Sequence, residues 1–125
     1  MSGSAIALVV SYVVLEAIWF SFSLSRIYAP MLEAVQGDAV VYRPVYAIPA
    51  YAIILYALWL LVVSRASTRL GAARDATAFA LAAGGVYNLT NLCTLKRYPL
   101  WVALVDIAWG VFSINAVTQL AISFT

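Results

Sequence analysis

Two acidic residues lie inside long apolar stretches of this chain of 125 residues, and a tryptophan follows each of them three positions later. Glu16 precedes Trp19, and Asp106 precedes Trp109. A carboxylate in the hydrocarbon layer of a bilayer costs several kcal/mol unless it is paired, hydrogen-bonded or protonated. Such a group is a functional candidate by default, for cation binding or proton transfer, although a protonated or amide-bonded structural acid would leave the same pattern.

Polar side chains of another apolar stretch could reach these two acids. Asn88 and Asn91 are three positions apart and share one face of a helix. At a rise of 1.5 Å per residue, the two asparagines would lie about 10 and 6 Å, and the two acids about 13 and 9 Å, from the same membrane face. For the asparagines, hydrogen bonding between helices, at about 0.6 kcal/mol per bond, is the simpler role. The predicted buried polar cluster comprises Glu16, Asn88, Thr90, Asn91 and Asp106, with Trp19, Tyr87 and Trp109 as flanking aromatics.

The composition is that of a membrane protein. Hydrophobic residues make up 66% of the chain and charged residues 10%, whereas soluble domains carry about 25% charged residues. The sequence has no histidine, the commonest metal ligand and the usual general base, and its single cysteine cannot form a thiolate cluster. We therefore predict no catalytic residue, no cofactor and no metal site. A net charge of +2, without a basic run longer than two residues, argues against a nucleic acid partner.

Four apolar segments are long enough to cross a bilayer, which takes about 20 residues. They cover approximately residues 4–25, 44–64, 75–95 and 100–123. We predict an all-α integral membrane protein, a single domain over residues 1–125 in which four transmembrane helices form a compact bundle with both termini on one side. The first segment lacks the basic start and small-residue cleavage site of a signal peptide, so we expect it to be retained. Three arginines on one side oppose four basic residues on the other, so the positive-inside rule does not decide the orientation.

Two local patterns add detail to this bundle. Pro30 and Gly37 are typical of the start and the end of a helix. The first loop therefore contains either a two-turn interfacial helix or a plain connection. In the third segment, small residues recur every four positions from Ala76 to Asn88. Such a stripe lets two membrane helices approach closely.

The residues around the two acids also carry a family resemblance. Its strongest part lies within residues 85–110 and contains Tyr87-Asn88-Leu89-Thr90-Asn91-Leu92, Thr94-Leu95, Tyr98-Pro99-Leu100 and Val105-Asp106-Ile107-Ala108-Trp109-Gly110. A weaker part contains Glu16-Ala17-Ile18-Trp19 and Ile27-Tyr28, so the resemblance covers most of the chain. This pattern resembles that of domain-of-unknown-function family 2177, a group of small predicted membrane proteins. The resemblance implies four helices and supplies no activity.

The chain departs from that family pattern at two positions. The pattern usually has aspartate where this chain has Glu16 and Asn88. The change at Asn88 removes a carboxylate, which would weaken any proton-linked or cation-linked role that the family has.

The missing catalytic chemistry favours a non-enzymatic role. We expect a non-catalytic structural or accessory subunit that packs, among membrane lipids, with the other subunits of a larger membrane complex. The mitochondrial inner membrane is the favoured setting, and a bacterial cytoplasmic membrane is the alternative. The alternative function is a small transporter or ion-binding protein that uses Glu16 and Asp106, as a homodimer because four helices are few for alternating access. An enzyme that acts on lipid through the two carboxylates ranks last.

Overall fold

Four helices make up most of the chain. The computed structural model describes residues 2–125, which form α1 (Gly3–Gln36), α2 (Pro44–Leu61), α3 (residues 69–94) and α4 (Leu100–Ile122). A short 3₁₀ turn, Val63–Arg65, follows α2. The prediction of an all-α fold with four helices is confirmed.

The helix α1 is longer than the predicted first segment and contains a π-helical turn. It is α-helical over Gly3–Ser23, widens to a π-helix over Leu24–Tyr28 and is α-helical again over Ala29–Gln36. Pro30 has no N–H to donate, and it lies just after the wider turn, so the helix passes it without a break. Gly37 then ends α1 in the left-handed region at φ 76°, where glycine carries no steric penalty. A helix is therefore present in the first loop, but it continues α1 rather than standing alone.

The helix α3 also begins earlier than predicted and also contains a π-helical turn. The hydroxyl of Thr68 accepts a hydrogen bond from the backbone N–H of Gly71 at 2.9 Å and caps the helix. The helix therefore begins at Arg69, six residues before the predicted start at residue 75. The helix is α-helical over Arg69–Ala80, π-helical over Leu81–Gly85 and α-helical over Val86–Thr94.

Small residues bring α3 against α4. Ala72, Ala76 and Ala80 line one face of α3 and are at most 3% exposed. Side chains of this size let two helix backbones approach closely, and the van der Waals packing that results favours helix association in a bilayer. The side-chain amide of Asn115 on α4 donates to the hydroxyl of Thr77 at 3.0 Å and links the same two helices.

Two apolar layers enclose a polar layer in the bundle. The layer near the chain termini contains Leu8, Leu58 and Val117 among its buried residues. The layer near the α3–α4 connection contains Met31, Tyr98, Val102 and Ala103. Along α4, the acid–tryptophan motif of residues 106–109 falls between these two layers. The polar side chains of the motif are therefore held between two well-packed regions.

The helix α2 is the most loosely held element. Its C-terminal end and the following turn are anchored by Leu58, Val62 and Val63, each at most 2% exposed. Residues 41–50, which include Pro49 within the helix, are all exposed. The N-terminal half of α2 therefore packs little against the rest of the bundle and leaves an open groove beside α1.

Three of the four helical stretches are long and apolar enough to cross a membrane, namely Gly3–Gln36, Pro44–Arg65 and Leu100–Ile122. The helix α3 does not meet this measure, contrary to our expectation of four such segments. Arg69, Arg74 and Asp75 at its start, and its later asparagines, lower its mean hydropathy. The two ends of the chain meet at one end of the bundle, since a Cβ atom on Gly3 would lie 3.8 Å from the carbonyl oxygen of Phe124.

Candidate functional site

Asp106 is the centre of a hydrogen-bond network that joins three helices. Tyr28 of α1 donates its hydroxyl proton to Oδ1 at 2.5 Å, and Asn88 of α3 donates from Nδ2 to Oδ2 at 2.7 Å. Both distances are typical of hydrogen bonds to a charged acceptor. Each oxygen of the carboxylate thus has its own donor, which is the arrangement that an ionised, acceptor-only carboxylate requires.

Asn88 is fully buried, and every polar group of its side chain has a partner. Its Nδ2 also donates to the carbonyl oxygen of Gly84 at 2.8 Å, and its Oδ1 accepts a hydrogen bond from the Tyr98 hydroxyl at 2.7 Å. Tyr98 lies in the α3–α4 connection, where burial raises the pKa of its hydroxyl, so that this group remains a proton donor. The amide is therefore fixed in the orientation that presents its N–H to Asp106.

Each π-helical turn adjoins one donor of Asp106. Tyr28 is the last residue of the π turn in α1, and Gly84, whose carbonyl oxygen holds the Asn88 amide, lies in the π turn of α3. Such turns are frequent at functional sites. They insert a residue into a helical turn and so change which side chains face inward. Here they turn both donors towards the same carboxylate.

The two acid–tryptophan motifs are crossed between α1 and α4. Trp109 donates from its indole Nε1 to Oε1 of Glu16 at 2.8 Å. Trp19 donates to the hydroxyl of Tyr28 at 3.3 Å, and that hydroxyl in turn donates to Asp106. The rings of Trp19 and Trp109 are stacked, with centroids 4.5 Å apart and planes inclined by 10°. Each motif thus supplies a tryptophan that reaches the acid of the other motif, directly in one case and through Tyr28 in the other.

Glu16 differs from Asp106 because it lines an open groove. This α1–α2 groove encloses about 500 Å³. Its walls are formed by Val13, Glu16, Ala17, Phe20, Pro44, Ala47, Ile48, Tyr51, Ala52 and Leu55. Apart from the Glu16 carboxylate and the Tyr51 hydroxyl, these side chains are apolar. Within residues 2–125, the hydrogen bond from Trp109 is the one that Glu16 receives, and it occupies Oε1.

A second cavity continues the groove towards the first loop. It encloses about 470 Å³ and shares Phe20 with the α1–α2 groove. Its lining is more polar and includes Ser21, Ser25, Glu33 and Tyr42. The second cavity therefore places polar groups near the end of α1, on the other side of Phe20 from the apolar groove that contains Glu16.

Two residues of the predicted cluster, Thr90 and Asn91, and the predicted flanking aromatic Tyr87 do not belong to the Asp106 network. The hydroxyl of Thr90 donates to carbonyl oxygens of its own helix, at 2.8 Å to Val86 and 3.0 Å to Tyr87, and Thr90 is exposed. Asn91 is half-buried and makes no side-chain hydrogen bond to another helix within the described part of the chain. Tyr87 is 54% exposed. Tyr87 and Thr90 point elsewhere because of the helix rotation that directs Asn88 at Asp106. Asn91 shares the face of Asn88 and lies beside Tyr98 rather than Asp106.

Tyr28 and Tyr98 belong to the network, although the predicted polar cluster contained neither of them. Both tyrosines lie within the quoted family motifs, Ile27-Tyr28 and Tyr98-Pro99-Leu100, which flank apolar stretches. Tyrosines at such positions usually anchor a helix at the membrane surface. Their presence beside both polar motifs is the one sequence signal that could have identified them.

The site has no grouping of metal ligands. Within residues 2–125, no three side chains of His, Cys, Asp or Glu lie close enough together to hold a metal ion. Glu16 and Asp106 have different partners and are not joined to each other by a direct hydrogen bond. Asp106 accepts hydrogen bonds from two other helices, whereas Glu16 accepts one from Trp109 and lines the α1–α2 groove.

Comparison with known proteins places the chain by sequence. No curated protein and no solved structure matches it. The model of the family DUF2177, described as a predicted membrane protein, matches residues 3–123. This match covers both acid–tryptophan motifs and every donor of the Asp106 network. The chain therefore belongs to the DUF2177 family of predicted membrane proteins.

Proposed function

We propose that this protein is a small transporter that binds a hydrophobic organic cation in the α1–α2 groove, with Glu16 as the anionic partner. The observation that carries the proposal is the position of Glu16, a half-buried carboxylate in the wall of a groove that is otherwise almost entirely apolar. A carboxylate at this depth is costly unless it has partners. Trp109 supplies one hydrogen bond, to Oε1, and a bound cation supplies the remaining compensation.

The size and lining of the groove match this class of ligand. Binding sites for small organic molecules typically enclose about 300–1,000 Å³, are mainly apolar and contain a few placed polar groups. The groove encloses about 500 Å³ and contains one acid and one hydroxyl. The aromatic side chains of Phe20 and Tyr51 lie in its wall, and a cation bound over the face of either ring would be attracted to it.

Asp106 has a different role in this proposal. Both of its oxygens are occupied by donors from other helices, so it holds α1, α3 and α4 together. Glu16 alone of the two acids lines the groove. Since four helices are few for alternating access, the proposed transporting unit is a homodimer. The proposed setting is a bacterial cytoplasmic membrane.

Binding of a hydrophobic cation to the purified protein tests the proposal. Tetraphenylphosphonium is the probe, measured by equilibrium dialysis in mild detergent and by uptake into proteoliposomes. We expect saturable binding and uptake in the wild type, and a loss of at least tenfold in affinity in Glu16→Gln, which keeps the size of the side chain but removes its charge.

A matched control is available just after the same helix. Asp38→Asn makes the corresponding acid-to-amide change at an exposed carboxylate that lines neither cavity, and we expect its affinity to stay within about twofold of wild type. Equal loss in both variants, or undiminished saturable binding in Glu16→Gln, would contradict the assignment of Glu16 as the recognition group.

A second candidate function is that of a non-catalytic accessory subunit in a larger membrane complex, with the mitochondrial inner membrane as its setting. The observation that favours it is the exposed apolar surface of α2, where Ile48, Ile53 and Tyr56 are each at least 65% exposed. A partner helix on this surface would cover the groove as well. Purification of the native protein in mild detergent separates the two functions, because a stable complex with other proteins supports the subunit and a homodimer supports the transporter.

A further inference from the structure

Trp109 is the residue that fixes the carboxylate of Glu16. Its indole Nε1 lies 2.8 Å from Oε1, and it is the one hydrogen-bond donor to Glu16 within residues 2–125. A glutamate side chain has several rotatable bonds, and holding the side chain in one conformation costs conformational entropy. A donor on a neighbouring helix offsets that cost and determines which oxygen remains available.

The indole of Trp109 is itself held in place from the other side. Its ring is stacked on Trp19 at a centroid distance of 4.5 Å, and the ring centroid of Phe112 lies 5.7 Å from its own. Trp19 is fixed by its hydrogen bond to Tyr28, whose hydroxyl is bonded to Asp106. Trp109 is therefore connected to the most fully bonded part of the bundle, whereas the groove wall on α2 is loosely packed.

We propose that Trp109 is a positioning residue of the cation site. Its indole N–H occupies Oε1 of Glu16 and leaves Oε2 for the ligand. The proposal rests on the proposed function, because it assigns to Trp109 a role in the same site. The indole N–H acts through Glu16 and does not itself line the groove. Its role depends on the hydrogen bond to Oε1 and not on the stacking of its ring.

Two substitutions of Trp109 separate the hydrogen bond from the packing. Trp109→Phe keeps an aromatic ring against Trp19 but has no N–H donor. Trp109→Gln keeps an amide N–H donor but removes the ring. We expect the affinity for tetraphenylphosphonium to fall about tenfold in Trp109→Phe and to stay within about threefold of wild type in Trp109→Gln, since a hydrogen bond to a charged group is among the stronger ones.

The matched control lies on the same helix. Trp101→Phe makes the same change at a tryptophan that is 56% exposed, and we expect no change in affinity. Near-ultraviolet circular dichroism provides a spectroscopic signature of the Trp19–Trp109 pair, which we expect to disappear in both Trp109 variants and to persist in Trp101→Phe. Gel filtration in detergent shows whether each variant is folded. If Trp109→Gln fails to fold, the affinity of Trp109→Phe decides whether the hydrogen bond matters.

The outcomes distinguish this proposal from the proposed function. Wild-type affinity in Trp109→Phe, or weaker binding by Trp109→Gln than by Trp109→Phe, would overturn the positioning role while leaving the cation site intact. A wild-type protein that shows no saturable binding of tetraphenylphosphonium would overturn the cation site and, with it, the role of Trp109.

Discussion

The side-chain amide of Asn88 lies 2.7 Å from the carboxylate of Asp106, and this contact joins α3 to α4 in the polar layer of the bundle. The family resemblance described above leads to an expectation of aspartate at the position of Asn88. Two carboxylates at this distance would repel each other unless they shared a proton. The amide of Asn88 instead donates to the carboxylate, so in this chain the pair is a stable hydrogen bond without a shared proton.

The Asn88–Asp106 pair predicts an unusual order of stabilities. Asn88→Leu leaves the half-buried carboxylate of Asp106 with one donor, and we expect it to lower the free energy of unfolding by about 3 kcal/mol. Asp106→Leu leaves only neutral groups without partners, so its effect is smaller. The double variant is expected to be more stable than Asn88→Leu alone. Unfolding by SDS titration in mixed micelles measures the order, and a double variant less stable than either single variant would refute it.

Tyr28 should matter more than its position near the end of a membrane segment indicates. Tyr28→Phe removes the donor to Oδ1 of Asp106 and the acceptor for Trp19. We expect the free energy of unfolding to fall by about 2 kcal/mol, the scale of a hydrogen bond to a charged group. The matched control is Tyr56→Phe, because Tyr56 is 65% exposed and makes no side-chain hydrogen bond within residues 2–125. Equal stabilities of the two variants in the same SDS titration would show that the Tyr28–Asp106 bond contributes nothing.

Two glycines should respond in opposite directions to alanine. Gly37 ends α1 at φ 76°, so Gly37→Ala is expected to destabilise the protein by about 1 kcal/mol through backbone strain alone. Gly110 lies within α4, and no heavy atom would come within 4 Å of an added Cβ. Gly110→Ala should stabilise the protein by about 0.5–1 kcal/mol through helix propensity. Thermal unfolding midpoints in one detergent test both signs, and destabilisation by Gly110→Ala would reveal a close contact on that face of α4.

Both termini should lie on the same side of the membrane. Gly3 and Phe124 are close neighbours at one end of the bundle, and four helices return the chain to the side where it began. The test uses single cysteines at Ser2 or Thr125 in a Cys93→Ser background, labelled in sealed vesicles with an impermeant maleimide. We expect both positions to label from the same side. Labelling from opposite sides would mean that α3, the least apolar helix, does not cross the bilayer.

The sequence by itself determined the class of the protein, its four helices and its family. Charged residues are too few for a soluble domain, and the four apolar segments are separated by short polar connections. These properties depend on composition and local order, which do not require knowledge of how the helices pack. The helix ends were less well predicted, because Thr68 caps α3 early and a π turn carries α1 past Pro30.

Only the tertiary structure decided which partners the polar residues have. In α1, α2 and α4 nearly every face is apolar, so helical periodicity groups residues on a face without indicating which face points inward. The choice of Asn88 over Thr90 depends on the rotation of α3, which its π turn alters, and the choice of Asn88 over Asn91 depends on how far along α3 the carboxylate of Asp106 lies. The pairing of Glu16 with Trp109 depends on how α1 lies against α4. The groove exists because α2 diverges from α1 near residues 44–50, and no local pattern in the sequence records the angle between two helices.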